Sequence, residues 1–163
     1  MAYHYCTEKG YLKMKAEIER LDKLVNRDTA KEIAAAAAHG DLKENAEYSA
    51  AKEKQAFYAN RLRELQIRFS GTNVVRKKEL LPENAVTFGK RVKIEDVNSG
   101  DESIFTFLGE GESDPDNDII SYTSPLAKAL IGNKQGDVVD VQLPIGVKTF
   151  KIVEVTFCED YTD

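Results

Sequence analysis

Residues that build metal and redox sites are scarce in this chain, which has two cysteines and two histidines among 163 residues. The cysteines are Cys6 and Cys158 and the histidines are His4 and His39. None of them forms a CxxC pair or any other spacing that a zinc site would need. We therefore expect both thiols to be free and structural.

Long apolar runs are also missing, since no stretch approaches the roughly 20 residues that a helix needs to span a bilayer. The first residues, Met1-Ala-Tyr-His-Tyr-Cys6, lack the apolar core and the small-residue cleavage site of a secretory signal. We expect no membrane partner and a cytoplasmic location. With 42% hydrophobic and 31% charged residues, the chain should fold as one moderate domain or two small ones.

The net charge of −5 conceals an asymmetry along the chain. Residues 1–78 carry 16 Lys/Arg and 11 Asp/Glu, whereas residues 79–163 carry 7 Lys/Arg and 17 Asp/Glu. A mildly basic first part and an acidic second part indicate two modules that face different partners. Nucleic acid would suit the first and a basic protein surface the second.

The first module has the apolar spacing of two amphipathic helices. One is expected from an N-cap at Thr7 to about His39, and the other from near Leu42 to about Phe69, with a break at Gly40. The first stripe is Tyr11, Met14, Ile18, Leu21 and Val25, continued by Ala30, Ile33 and Ala37, and the second is Tyr48, Ala51, Tyr58, Leu62, Leu65 and Phe69.

Two helices of about 30 residues joined by a tight turn can bury these stripes only against each other. Steps of three and four residues along the first stripe are those of a heptad seam, so residues 1–78 are predicted to form an antiparallel coiled-coil hairpin. At 1.5 Å per residue the hairpin would be roughly 45 Å long, with its tip near residues 40–48. Gln55 interrupts the second stripe, and we expect the hairpin to have little core of its own.

In the second module, residues 79–163, the apolar period changes toward two after a connector over 71–84. Ser124 and Pro125 fit the N-cap and first position of a brief helix that Gly132 ends. These patterns predict an antiparallel sheet with one short helix, an α+β module. The expected strands are 91–95, 104–108, 119–122, 137–143 and 148–157.

The strongest chemical signal is at the predicted tip, where Asp41 and Glu44 stand three residues apart. Carboxylates so placed can hold Mg²⁺ or a metal-bound water. The same spacing is also a capping box for the second helix, and spacing alone favours capping. Two carboxylates on an exposed tip are too few ligands for a complete site, so a catalytic role would require another protein to supply the rest.

Other candidates have ordinary structural interpretations. The second helix carries basic residues that could attract a phosphate backbone, although solvated helix faces often have the same composition. They are Lys43, Lys52, Lys54, Arg61 and Arg63. His39 fits a helix-end residue better than a general base, and the acidic stretch 114–118 lacks the glycine and the distant glutamate of an EF-hand.

Several motifs in both modules resemble one family, the bacterial Gre transcript cleavage factors, and within it the GreA branch. The order of a hairpin followed by a globular domain is also that of the family, whose second domain is similar to the FKBP fold. The matching motifs are Gly40-Asp-Leu-Lys-Glu-Asn-Ala-Glu-Tyr48, Ala50-Ala-Lys-Glu53, Ile120-Ser, Ser124-Pro-Leu-Ala127, Leu130-Ile-Gly132 and Gly136-Asp137.

The resemblance implies a factor that is not itself an enzyme but acts on bacterial RNA polymerase. The globular module would dock at the mouth of the secondary channel, with Ser121, Ser124 and Pro125 as partner-binding residues. The hairpin would reach the catalytic centre, where a backtracked enzyme holds the extruded 3′ end of the nascent RNA.

There Asp41 and Glu44 would help bind a second Mg²⁺, shared with the polymerase, and orient the attacking water. The chain would need no cofactor of its own. Lys43 and Lys52 would contact the RNA. The family commonly has an arginine where this chain has Ala37, so RNA guidance at that position would be weaker.

Two alternatives remain open at this point. A regulator of similar build could occupy the same channel and inhibit or remodel the polymerase without promoting cleavage, although the presence of both tip acids argues against it. A peptidyl-prolyl isomerase would need a cluster of aromatic residues, which the sequence does not reveal.

Overall fold

The computed structural model describes residues 4–40, 45–80, 82 and 84–161. The chain divides into two compact units: Leu12–Gly71 forms one, and Met1–Tyr11 together with Thr72–Asp163 forms the other. The sequence analysis placed the first eleven residues and residues 72–78 with the hairpin. They lie in the sheet-containing unit instead, because a strand near the N-terminus pairs with one that follows the last long helix.

The elements follow in chain order. A π-helical segment, Leu24–Asp28, lies between the first two helices. The helices and strands are β1 (His4–Cys6), α1 (Glu8–Lys23), α2 (Thr29–Ala37), α3 (Ala46–Ser70), β2 (Thr72–Val74), β3 (Lys90–Asp96), β4 (Glu102–Leu108), β5 (Ile119–Ser121), α4 (Pro125–Leu130), β6 (Val138–Leu143) and β7 (Gly146–Phe157).

The Leu12–Gly71 unit is a helical hairpin with a small apolar core. The buried residues of this core are Leu21, Val25 and Leu62. The end of α1 and the start of the π segment therefore pack against the C-terminal half of α3. The partly buried residues around them are Ile18, Leu24, Tyr58, Ala59 and Leu65. The small size of this core agrees with the expected modest core of the hairpin.

The first arm of the hairpin runs from α1 through α2, and its buried face shifts by one residue at the π segment. Thr29 N–H donates to Leu24 O, five residues back, instead of four as in an α-helix. After Val25 the buried positions are Thr29 and Ala36, whereas Ala30 is exposed. The predicted continuation of the stripe through Ala30 is therefore wrong: steps of three and four residues would next reach Asp28, and the π segment moves the buried position one residue on, to Thr29.

The sheet of the other unit has five strands in the order β5-β4-β3-β7-β6. Neighbours are antiparallel except β4 and β5, which pair in parallel, with Thr106 opposite Ile119. The predicted purely antiparallel sheet is thus wrong at this edge, since β5 returns through the connection over residues 109–118. The buried residues of the core are Val86, Val92, Ile94, Phe107, Ala127, Leu130, Val141, Ile152 and Val155.

A parallel pair formed by β1 and β2 is additional to the sequence prediction. His4 lies opposite Thr72 and Cys6 opposite Val74, and Val75 N–H donates to Cys6 O at 2.9 Å. Thr7 then caps α1, as predicted, because its Oγ1 accepts from Gly10 N at 3.0 Å.

The carboxylate of Glu112 holds this entry to α1. It accepts from Thr7 N at 3.3 Å, from Gly109 N at 2.9 Å and from the Thr7 hydroxyl. Gly10 lies so close to this carboxylate that a Cβ on Gly10 would stand 2.3 Å from Glu112 Oε1. A side chain at position 10 would therefore displace Glu112.

Both cysteines are free and buried, as expected. Cys6 is 4% exposed and Cys158 is 2% exposed. Burial, with a smaller contribution from Glu112, raises the pKa of Cys6 to about 11, and burial likewise raises that of Cys158 to about 11. Among the described helices none is long and apolar enough to cross a membrane.

Candidate functional site

The candidate site is the segment between α2 and α3, and the first of the two helix ends that flank it is the C-terminal end of α2. Beyond Ala37 the backbone tightens, with His39 N–H donating to Ala36 O at 3.2 Å and Gly40 N–H donating to Ala37 O at 3.4 Å. Gly40 has a φ of +113°, which an L side chain rarely adopts. The break predicted at Gly40 is confirmed, and the glycine satisfies the backbone requirement of the turn.

The second side is the start of α3, which begins at Ala46 and is capped by Asn45. Asn45 Oδ1 accepts from Tyr48 N at 3.1 Å, and Asn45 Nδ2 donates to Ala36 O at 2.6 Å. The expected start near Leu42 is therefore wrong by four residues. One side chain both caps α3 and bonds to the last turn of α2.

Asp41, Lys43 and Glu44 lie outside the described residues. The described residues that immediately precede and follow this segment are Gly40 and Asn45. The capping alternative assigned the N-terminus of the second helix to Asp41, but the described helix has Asn45 as its cap. The carboxylates are thus not needed to explain how α3 begins.

Of the basic residues on α3, Lys52 and Lys54 have different surroundings. Lys54 Nζ lies 2.9 Å from Glu32 Oε1, and this hydrogen bond raises the lysine pKa. Lys52 is exposed, with its Nζ 5.3 Å from the centroid of the Tyr48 ring. Tyr48 is half-buried and does not belong to the apolar core around Leu21. Lys52 and Tyr48 therefore place a cation and an aromatic ring just beyond Asn45.

The three predicted partner-binding residues lie together between β5 and α4. Ser124 caps α4 through a hydrogen bond from Ala127 N at 3.3 Å, and Ser121 Oγ lies 2.7 Å from Thr123 Oγ1. Pro125 is the first residue of α4 and is exposed. The two hydroxyls therefore have local structural roles, and Pro125 presents the free surface.

An aromatic cluster occurs in the sheet-containing unit that the sequence analysis did not find. The ring centroid of Phe88 lies 5.6 Å from that of Tyr122 and 6.4 Å from that of Tyr161, and Tyr5 lies 5.8 Å from Tyr122. Phe88 and Tyr161 are buried with Leu108. Because these four positions are spread from 5 to 161, no local pattern could reveal them.

The described residues contain no group of three or more His, Cys, Asp or Glu side chains that could hold a metal ion. His39 approaches Glu47, with Nε2 3.8 Å from Oε2, but both side chains are well exposed. This placement agrees with a helix-end role for His39.

Comparison with known proteins covers both units. Residues 4–74 match the family model "Transcription elongation factor, N-terminal", and residues 81–157 match "Transcription elongation factor, GreA/GreB, C-term". Over 157 residues the chain is 43% identical to transcription elongation factor GreA of Helicobacter hepaticus, with 96% of each chain covered. It is 46% identical over 151 residues to GreA of Nautilia profundicola, with 93% of each covered.

Among solved structures, the GreA factor homolog 1 (Gfh1) of Thermus thermophilus is 24% identical, with a TM-score of 0.44. The match covers 94% of this chain and 99% of that chain. Both family models describe transcription elongation factors, and together they span most of the sequence. The chain belongs to the GreA/GreB family, as the tip and second-module motifs indicated.

Proposed function

We propose that the chain rescues backtracked bacterial RNA polymerase by bringing Asp41 and Glu44 through the secondary channel to the polymerase active centre. The observation that carries this proposal is the geometry on either side of the acidic segment, residues 41–44. α2 ends at Ala37, α3 begins at Ala46, and Asn45 bonds to Ala36 O, so the two helix ends that flank the acids are held together.

Family membership carries the general function. The chain is a transcription elongation factor that stimulates transcript cleavage by RNA polymerase, and it is not itself the enzyme. The proposal adds the residues and the route, namely the tip carboxylates and the secondary channel, and it adds the extruded 3′ end of the nascent RNA as the substrate. The cytoplasm is the proposed site of action.

The donor set at the tip suits a hard divalent cation, because carboxylate oxygens are the ligands that Mg²⁺ prefers. Asp41 and Glu44 would hold such an ion only together with ligands from the polymerase, since Mg²⁺ demands a nearly octahedral oxygen shell. When bound there, the ion supplies Lewis-acid stabilisation to phosphodiester cleavage. The carboxylates themselves would accept hydrogen bonds from the attacking water and orient it.

Lys43 and Lys52 are proposed to contact the RNA. Lys52 supports this assignment because its ammonium group is exposed within the first two turns of α3, whereas Lys54 is engaged with Glu32. The half-buried Tyr48 ring beside Lys52 is suited to a nucleic-acid contact, since bases stack on aromatic side chains.

The two units would divide the work of binding and catalysis. We assign docking on the polymerase to Ser121, Ser124 and Pro125, with Pro125 as the exposed contact and the serines as supports of its turn. The finer descriptions of the units, a coiled coil for the hairpin and an FKBP-like fold for the sheet domain, belong to the same proposal. They are supported by the heptad spacing and by the sheet that accompanies the short helix α4.

The test is incubation of the purified chain with a backtracked elongation complex that contains end-labelled RNA and Mg²⁺ but no nucleotides. The expected result is shortened RNA from the 3′ end, at a rate that rises with factor concentration and saturates. A chain that binds the complex and leaves the RNA uncleaved would instead be a regulator of the channel.

A further inference from the structure

We propose that Asn45 is a positioning residue for transcript cleavage, because its side-chain amide fixes the separation of the two helix ends that flank the acidic segment, residues 41–44. This inference rests on the proposed function of residues 41–44. It assigns to Asn45 no contact with RNA or with a metal ion. Its role is to act through the backbone on both sides of the acids.

The orientation of the amide follows from its two partners. Tyr48 N is a donor and requires the oxygen, whereas Ala36 O is an acceptor and requires the nitrogen. In a flipped amide, Nδ2 would face Tyr48 N at 3.1 Å, donor against donor, and Oδ1 would face Ala36 O at 2.6 Å, acceptor against acceptor. The side chain therefore has one orientation that satisfies both helices.

Capping alone does not explain an asparagine at this position. Serine, aspartate and asparagine are similarly effective N-caps, because each offers a side-chain oxygen to the first free N–H groups. An aspartate has no donor for Ala36 O at neutral pH, and a serine hydroxyl is too short to serve both partners. The second bond, across the hairpin, is what distinguishes asparagine from the other caps.

Two other polar contacts near these ends are described, and both are exposed. The Lys54–Glu32 ion pair lies farther from the helix ends, with side chains 44% and 46% exposed. His39 and Glu47 approach to 3.8 Å, but their side chains are 68% and 76% exposed, so water and salt screen the pair. The Asn45–Ala36 bond is shorter and partly buried. Among the described contacts it is the one suited to hold Ala36 and Asn45 at a fixed distance.

Positioning of this kind has a measurable signature in the cleavage reaction. Displacement of a catalytic group by about 1 Å can lower a rate by about a hundredfold. The affinity of the factor for polymerase should be unaffected if other surfaces provide docking. Loss of the amide should therefore lower the maximal cleavage rate while the half-saturating factor concentration stays the same.

The experiment compares Asn45→Ser with Asn45→Ala in the full-length chain on backtracked complexes. Serine keeps a capping oxygen and loses the bond to Ala36 O, whereas alanine loses both. The control is Asn60→Ser, the same change at an exposed position of α3. Thermal unfolding followed by circular dichroism establishes that each variant is folded at the assay temperature.

We expect Asn45→Ser to lose at least about tenfold in maximal rate, close to the loss in Asn45→Ala, with unchanged half-saturation. Asn60→Ser should match the wild type. A wild-type rate for Asn45→Ser beside an impaired Asn45→Ala would show that Asn45 is only a cap and would overturn the inference. A change confined to half-saturation would also overturn it, since that would place Asn45 in binding.

The variant Asp41→Asn, measured alongside, separates this inference from the proposed function. If Asp41→Asn is inactive and Asn45→Ser is fully active, the positioning role alone is wrong. If Asp41→Asn cleaves at the wild-type rate, the proposed role of the acidic residues 41 and 44 is wrong, whatever Asn45 does.

Discussion

The π segment supports a quantitative prediction about the carbonyl of Val25. Thr29 N–H donates to Leu24 O, so the hydrogen bond that an α-helix would direct to Val25 O is displaced by one residue. Val25 O accepts from Thr29 Oγ1 at 2.9 Å, a hydroxyl that also lies 3.0 Å from Leu24 O, and from Gln55 Nε2 at 3.2 Å. Thr29 is 0% exposed, and the carbonyl therefore lies where water is a poor substitute.

Because two side chains serve one carbonyl, their losses should not add independently. Thr29→Val or Gln55→Leu alone removes one bond and should lower the free energy of unfolding by about 1 kcal/mol. The double variant leaves the carbonyl without either donor, which adds the cost of an unsatisfied buried acceptor, about 1–3 kcal/mol. We therefore expect the double variant to exceed the sum of the singles by about 1 kcal/mol or more.

Urea unfolding followed by the helical circular dichroism signal measures this coupling in a double-mutant cycle. Thr29→Ser, which keeps the hydroxyl, and Gln66→Leu, at an exposed position of α3, are the matched controls. If the double variant equals the sum of the singles within about 0.5 kcal/mol, the two side chains do not share the carbonyl and the explanation of the π segment is wrong.

Three further predictions concern RNA, docking and the thiols. Ala37→Arg should strengthen cleavage at limiting factor concentration, and the gain should shrink as salt rises, because a phosphate contact releases counterions; no gain in either the wild-type or the Lys52→Ala background would exclude a missing RNA contact at this position. Pro125→Arg should raise the half-saturating factor concentration and leave the maximal cleavage rate unchanged, and equal half-saturation would remove Pro125 from the docking surface. The raised pKa of Cys6 and Cys158 means that these thiols ionise in the unfolded chain first, so the free energy of unfolding should fall as pH rises from 9.0 to about 11. Urea titrations on both sides of this interval measure the fall, and a Cys6→Ala, Cys158→Ala double variant with an undiminished slope would assign it to other groups.

Features with a strong local signal could be predicted from the sequence. The spacing of Leu21, Val25 and Leu62 indicated the faces of the hairpin that become its core, and the caps Thr7 and Ser124 began their helices where expected. The strand pairs β3–β4 and β6–β7 also formed as expected, because alternating residues flank short turns.

Features that depend on distant or degenerate sequence could not be predicted. The pairing of β1 with β2 joins two segments of three residues, one before α1 and one after α3 in the chain, and each is too short to show a period. The alanine run 34–38 fits either register of the seam, so the shift at Thr29 left no trace in the apolar pattern. Asn45 was overlooked as a cap because Asp41 satisfied the same local rule, and the hydrogen bond from Tyr48 N to Asn45 Oδ1 is what identifies the cap.

The central claim is that the tip carboxylates act in cleavage, and its most direct measurement is the maximal cleavage rate of Asp41→Asn and Glu44→Gln on a backtracked complex. Both substitutions keep the size of the side chain and remove its charge, and both leave Asn45, the cap of α3, in place. We predict that each variant reduces cleavage to the level seen without factor, while it still competes with the wild-type chain for polymerase. Wild-type cleavage by either variant, at saturating concentration and with normal competition, would contradict the account.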